Sequence, residues 1–354
     1  MAGLVGNYAL NLVKLLAGRR MLRPLAVIYH VTERCNLNCV YCEHYGARRS
    51  AEHTPLSLAQ AKAVLGRIRE GADRIIFTGG EPLLHPHIEA LMRHARDLNF
   101  RGVTLLTNGA LLADHTALLP LIDRLVVSLD AVEPARWDAV IRSAPGTAQK
   151  ILDNLRTLAP RQSEQGFHIV VNCVITPETL GLVEGVIDFC AEHQLALSVS
   201  PQARNNWPRS DLLTSARFQA LIDRLIALKR EGFPLLVSGP AQRTMRRAIP
   251  FKCYPTLFAH IQPDGRLVYP CPPIQRSGTE QGGEPSSLLE VSDWGAALAQ
   301  AHARFGSPPL ICTSCFQQCY VEPSLMQARP LALLWEWLRY PVVRRGELVT
   351  YSIG

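Results

Sequence analysis

The stretch Leu25–Cys42, "LAVIYHVTERCNLNCVYC", decides how this chain is read. Its first eight residues form an almost unbroken apolar run. Such a run suits a strand buried on both faces of a parallel sheet. Three cysteines follow directly, Cys35, Cys39 and Cys42, spaced CX3CX2C. Thiols at that spacing can hold a metal, yet a tetrahedral zinc site wants a fourth Cys or His. His44 is the one local candidate, at tight spacing. An iron–sulfur cluster with one iron left open for another ligand is the alternative.

Five further runs resemble the first: "RIIFTGG" (74–80), "GVTLLTNG" (102–109), "RLVVSLDA" (124–131), "HIVVNCVIT" (168–176) and "LALSVSP" (195–201). Between them lie helical stretches such as 56–71 and 178–194. Six βα units predict an α/β fold, a parallel sheet that is open or closed as a partial (β/α)6 TIM-type barrel. Ligands in such sheets bind at the carboxyl ends of the strands. The cysteine loop, "TGGEP" (78–82), "TNG" (107–109) and "SLDA" (128–131) all fall there, and so converge on one rim.

The bulk numbers agree with a folded enzyme-sized chain. It has 354 residues, 47% hydrophobic and 19% charged, which excludes global disorder. The net charge of +7 is spread thinly and shows no basic stripe with interleaved aromatics, so nucleic acid is not expected as a partner. Ten cysteines occur, eight of them in two groups, a pattern of metal binding rather than of a secreted disulfide scaffold. Cys173 and Cys190 read as core thiols. No signal peptide and no uncharged apolar run of spanning length is evident. A cytoplasmic protein is expected, with contact at a membrane surface as an option.

CX3CX2C after the first strand, Tyr41 just before the last cysteine, "GGEP" after the second strand and "SLDA" after the fourth together resemble the radical S-adenosylmethionine (radical SAM) superfamily. "RWDAVIRSAPGTAQKILDNL" (136–155) is similar to the family's segment after that fourth strand. The resemblance covers about residues 24–202. It implies that Cys35, Cys39 and Cys42 hold a [4Fe–4S] cluster whose open iron binds SAM. It implies further that Gly79 and Gly80 bring backbone close to SAM, that Pro82 stiffens the turn, and that Glu81 offsets positive charge. The Tyr41 backbone would meet adenine. Asn108, Ser128, Asp130 and Asn172 stand near the ribose, and Arg142 pairs with the SAM carboxylate. The implied reaction is reductive cleavage of SAM to a 5′-deoxyadenosyl radical, which abstracts hydrogen from an unactivated carbon. The electron would come from a donor such as flavodoxin or ferredoxin. The substrate, whether small molecule, lipid or peptide, is not specified.

A second cysteine set follows. Cys253 and Cys271 flank "HIQPDGRLVYPC" (260–271), which reads as a hairpin around Pro-Asp-Gly. Cys312 and Cys315 form CX2C, with Cys319 after them. The layout is similar to SPASM/twitch extensions of radical SAM enzymes, implying an auxiliary [4Fe–4S] cluster for electron transfer, held by four of the five. A four-cysteine zinc site is the alternative.

The expected organisation is therefore an N-terminal amphipathic helix (1–24), a radical SAM core (25–205) and a helical connector (206–252). A small α+β cysteine-rich auxiliary-cluster domain (253–329) and an amphipathic tail (330–354) complete it. Leu4, Val5, Tyr8, Leu12, Leu15 and Leu16 lie near one face of the first helix, with Lys14, Arg19, Arg20 and Arg23 following. "LALLWEWLRYPVVRR" (331–345) pairs Leu and Trp with Arg339, Arg344 and Arg345. Both ends fit helices packed on the barrel or helices lying on a membrane surface. Two rivals stand beside the radical enzyme: a peptide-modifying member of the same superfamily, and a zinc-stabilised binding protein without catalysis.

Overall fold

The computed structural model describes residues 2–43, 45–46, 55–204, 207–247, 249–272, 286–308 and 317–339. His44, Cys312, Cys315, Arg344 and Arg345 lie outside the described residues, as do the side chains of Leu4 and Val5.

The six apolar runs form six parallel strands in chain order. They are β1 (Ala26–Thr32), β2 (Arg74–Gly79), β3 (Gly102–Thr107), β4 (Arg124–Ser128), β5 (His168–Ile175) and β6 (Ala196–Pro201). Each pairs with its sequence neighbour, Val27 opposite Ile75 and Leu105 opposite Leu125, for example. β1 and β5 are buried almost from end to end, which is why they read as continuous apolar runs. Helices connect them, including Leu58–Gly71, Ile88–Asp97, Thr147–Leu158 and Val183–Glu192. The first of these starts at Ser57, whose side chain accepts from the Gln60 N–H while Gln60 reaches back to the Ser57 backbone. The sheet is open rather than closed.

A small ribbon, β7 (Ala203–Arg204) and β8 (Trp207–Pro208), leaves the end of β6. The hairpin expected around Pro-Asp-Gly is present as β9 (Phe258–Ile261) and β10 (Leu267–Val268). Its turn closes with the Gly265 N–H donating to Gln262 O at 2.9 Å. β9 runs parallel to β1, Val27 opposite Ala259, so residues expected to open the auxiliary unit extend the main sheet to the order β10-β9-β1-β2-β3-β4-β5-β6. The helix Gln318–Ala328 packs beside this added edge, with the helices Ala2–Leu16 and Pro330–Arg339 against it. Among the described residues no helix is long and apolar enough to cross a membrane.

Candidate active site

The cysteine loop leaves β1 and is tied down on three sides. On the β2 side, the Gly80 N–H donates to Thr32 O and the Glu81 N–H to Arg34 O, both at 2.8 Å. A Cβ built on Gly80 would come 2.4 Å from Arg34 O, and one on Gly79 2.2 Å from Thr32 O. Gly79 also has φ +150°, a conformation side chains rarely adopt. The two glycines thus let β2 turn directly beneath the cysteine loop. On the far side, Asn38 and Val40 donate their N–H groups to the carbonyls of Ile141 and Val140, in the helix Pro134–Ile141. On the third side, Tyr41 Oη donates to Asp130 Oδ2 at 2.5 Å. Within the loop, the Leu37 N–H lies 3.4 Å from Cys35 Sγ and the Tyr45 N–H 3.3 Å from Cys42 Sγ.

Cys35, Cys39 and Cys42 line one cavity at the carboxyl ends of the strands, with Tyr41, Gly79, Gly80, Asn108 and Ser128. Its wall is largely apolar: Leu37, Leu106, Trp137, Ile141 and Val174. Burial pushes the Cys35 thiol up to about 11, and raises Cys39 further still, helped by the charge of Asp130. Thiols in such surroundings stay protonated until a metal displaces the proton. Among the described residues no three His, Cys, Asp or Glu side chains are gathered as a site for a single metal ion.

Glu81 and Asp130 stand behind the cavity wall. Glu81 is wholly buried. Its Oε1 accepts from the Leu83 N–H (3.0 Å) and Thr107 Oγ1 (2.7 Å), and its Oε2 from the Asn108 N–H (2.8 Å). Burial raises its pKa to about 7 against the pull of those donors. Asp130, also wholly buried, accepts from Tyr41 and from the Val174 N–H at 2.7 Å, and burial raises it to about 6. Both carboxylates are thus committed to protein donors, where charge compensation and a ribose contact were expected. Arg142 is exposed at the left-handed cap of the helix Pro134–Ile141, outside the cavity lining. Pro82 starts a short turn of 3-10 helix behind the wall.

Asn172 sits on β5 opposite Ser128 of β4. It is 1% exposed, and its Oδ1 has no hydrogen-bond partner. An unpartnered buried amide oxygen costs stability unless a ligand satisfies it. Ser200 Oγ is left in the same condition on β6. Three thiols on one loop, a glycine turn beneath them and an orphaned amide oxygen nearby fit a four-iron cluster with a polar organic ligand.

Residues missed by sequence reading also face the cavity, notably Thr78, Trp137, Tyr45 and Gln317. Thr78 adjoins Gly79 at the end of β2, a position that signals the rim. Trp137 and Gln317 carry no such signal, because each arrives from a distant helical segment. Tyr45 opens a buried aromatic array. Its Oη lies 2.9 Å from His30 Nδ1, His30 Nε2 lies 3.0 Å from His260 Nδ1, and His260 stacks on Tyr320.

Of the second cysteine set, Cys253, Cys271 and Cys319 are described and buried. Cys319 lies in the helix Gln318–Ala328, and burial and the neighbouring Cys271 both raise its pKa. Ser324 of the same helix has its Oγ 3.9 Å from Cys253 Sγ and accepts the Tyr254 N–H at 2.9 Å.

Comparison with known proteins bears on this geometry. Residues 29–190 match the Radical SAM superfamily. The chain is 33% identical to a GTP 3′,8-cyclase of Mycobacterium marinum over 227 residues, 60% of each chain. It is 29% identical to an S-adenosylmethionine-dependent nucleotide dehydratase of Selenomonas ruminantium, over 58% of this chain and 77% of that one. The chain thus spans about 60% of the length of the cyclase relative. Among solved structures, Streptococcus suis SuiB bound to S-adenosylmethionine aligns with a TM-score of 0.62 at 17% identity. The alignment covers 85% of this chain and 70% of that one. The enzyme anSMEcpe with bound AdoMet aligns with a TM-score of 0.58 at 17% identity, over 80% and 82% of the two chains. These two likenesses are likenesses of fold.

Proposed function

The chain carries a radical SAM domain over residues 29–190 and is an enzyme of that superfamily, and from that premise we propose that it abstracts a hydrogen atom from an unactivated carbon of a nucleotide-type substrate. The observation that carries the reading is the shared cavity of Cys35, Cys39 and Cys42 above the Gly79–Gly80 turn. The superfamily uses a [4Fe–4S] cluster and SAM. Here the three thiols would hold the cluster, while Gly80, Asn108, Ser128 and Asn172 would meet SAM. When bound, that pair supplies one-electron cleavage of the sulfonium, fed by a donor such as flavodoxin or ferredoxin.

The chain's own residues do the positioning. Tyr41 and Asp130 hold the loop at the rim, and Glu81 fastens β2 to the end of β3. Trp137, Ile141, Val174 and Leu106 form an apolar wall that keeps water from a reactive intermediate. Cys253, Cys271 and Cys319, with Cys312 and Cys315, would hold the auxiliary cluster. A nucleotide is favoured as substrate because the cyclase and dehydratase relatives are both named for nucleotide chemistry. The cysteine usage supports a cytoplasmic setting.

The test is anaerobic purification and reconstitution, then iron and sulfide per chain. About eight irons are expected, two four-iron clusters. SAM cleavage to 5′-deoxyadenosine, stimulated by GTP or a related nucleotide, is the second readout. Zinc in both sites and no iron after reconstitution would overturn the enzyme reading. Cleavage that a peptide stimulates and no nucleotide does would overturn the substrate class alone.

A further inference from the structure

Both terminal helices turn their polar sides inward. In the helix Ala2–Leu16, Asn7 and Asn11 are buried, whereas Leu10, Val13 and Leu16 are 42%, 63% and 81% exposed. Asn11 is fastened in place: its Nδ2 donates to Arg23 O at 2.9 Å and its Oδ1 accepts the Arg23 N–H at 2.8 Å. The helix Pro330–Arg339 repeats the inversion. Leu331, Leu334, Trp335 and Leu338 fall at i, i+3, i+4 and i+7, one continuous stripe. They are 80%, 52%, 60% and 51% exposed. The opposite side sends Glu336 into the protein, where it lies 2.9 Å from Lys229 Nζ and accepts the Gly239 N–H at 2.9 Å. An amphipathic helix of a globular protein normally turns its apolar stripe to the core. Rotating this one to do so would expose the stripe's burial site to Glu336 and leave the Lys229 charge buried without its partner.

The two helices share a support. Both pack on the helix Gln318–Ala328, and Gln327 Nε2 donates to Tyr8 O at 3.3 Å. Charge near them is one-sided. Residues 1–32 hold Lys14, Arg19, Arg20 and Arg23 and no Asp or Glu, and Glu336 is the only acid between residues 323 and 339. Arg19 and Arg20 are exposed and line one surface hollow with Lys252. Arg339 ends the outward stripe, its guanidinium 5.9 Å from the Trp335 ring centre.

We propose that these two outward faces are a docking surface for an anionic phospholipid bilayer, on which the terminal helices lie flat. The Leu, Val and Trp side chains enter the boundary between headgroups and acyl chains, and the arginines meet the phosphates. Leucine and tryptophan with flanking arginine form the composition that suits that boundary. The proposal stands independently of the catalytic reading.

The experiment is flotation of the full chain with vesicles of phosphatidylcholine and phosphatidylglycerol, and with phosphatidylcholine alone. The chain is expected to rise with the anionic vesicles and to bind the neutral ones about tenfold more weakly or worse. L334E/W335E and V13E/L16E are each expected to stay at the bottom while melting at the parent temperature, since all four positions are exposed. R19A/R20A is expected to lose the preference for anionic over neutral vesicles. A parent chain that does not float, or glutamate variants that float equally well, would overturn the proposal. So would a dimer seen by light scattering that the glutamate variants dissociate, because the occupant would then be a second copy.

Discussion

The Tyr41 hydroxyl donates to Asp130 Oδ2, joining the residue before the last loop cysteine to the end of β4. The other Asp130 oxygen takes the Val174 N–H from β5, so one buried carboxylate spans the loop and two strands. Asp130→Asn keeps the shape but loses charge-assisted bonding, and is expected to lower stability by about 1–3 kcal/mol. Tyr41→Phe should loosen the loop more than the barrel. Urea melts of the metal-free chain measure the first effect, and iron retained after gel filtration the second. Full iron retention in both variants would show that Asp130 does not hold the loop.

Gly80→Ala is expected to fail at the loop. The added methyl would sit 2.4 Å from Arg34 O, a backbone atom that cannot swing aside. The cost is a displaced cysteine loop, and the expected outcome is iron below half of the parent's after identical reconstitution. Gly66→Ala, with open space around its Cβ, is the control and should retain iron.

Glu81 accepts three donors with two oxygens. Glu81→Gln keeps only one accepting oxygen and turns an amide toward a donor. A loss of about 1–3 kcal/mol is expected. Hydrogen exchange should quicken first at Leu83 or Asn108, whose amides lose their partner. A role confined to SAM charge would leave those amides protected in the metal-free chain.

Glu322 gives a pH dependence with a definite sign. It is wholly buried, its Oε2 accepts the Ser238 N–H at 3.0 Å, and burial raises it to about 7. The folded value lies above the unfolded one near 4.5. Stability from this group is therefore fully present below about pH 4.5 and is lost as pH rises through about 7. Glu322→Gln should remove that decline, so that the variant gains on the parent between pH 5 and 8 by roughly 1–3 kcal/mol. Parallel urea curves across that window would contradict the assignment.

Replacing Cys35, Cys39 or Cys42 by Ser, one at a time, is expected to remove about four of about eight irons and abolish SAM cleavage. Cys319→Ser should spare SAM cleavage by the first site and lower iron only at the second. Loss of all iron from either set would mean that the two sites are not independent.

Several of these features were legible in the chain alone. Six runs of Val, Ile and Leu determined six parallel strands, because strands covered on both faces have no polar side to show. The cysteine loop and the glycine turn were readable for the same local reason: CX3CX2C and Gly-Gly are contiguous, and each follows its strand directly. The Pro-Asp-Gly hairpin was readable from its turn chemistry, though not its partner, because pairing of β9 with β1 joins residues more than two hundred positions apart. Only the tertiary structure decided that Glu81 and Asp130 serve the protein's own donors, that Arg142 stands outside the cavity, and that Trp137 and Gln317 line it. A carboxylate at a strand end looks the same in sequence whichever side of the turn it takes. The terminal helices carry the same lesson. Their spacing determined which residues share a face, and the buried partners of Asn11 and Glu336 decided that the apolar face looks outward, since periodicity records a stripe but not what the stripe meets.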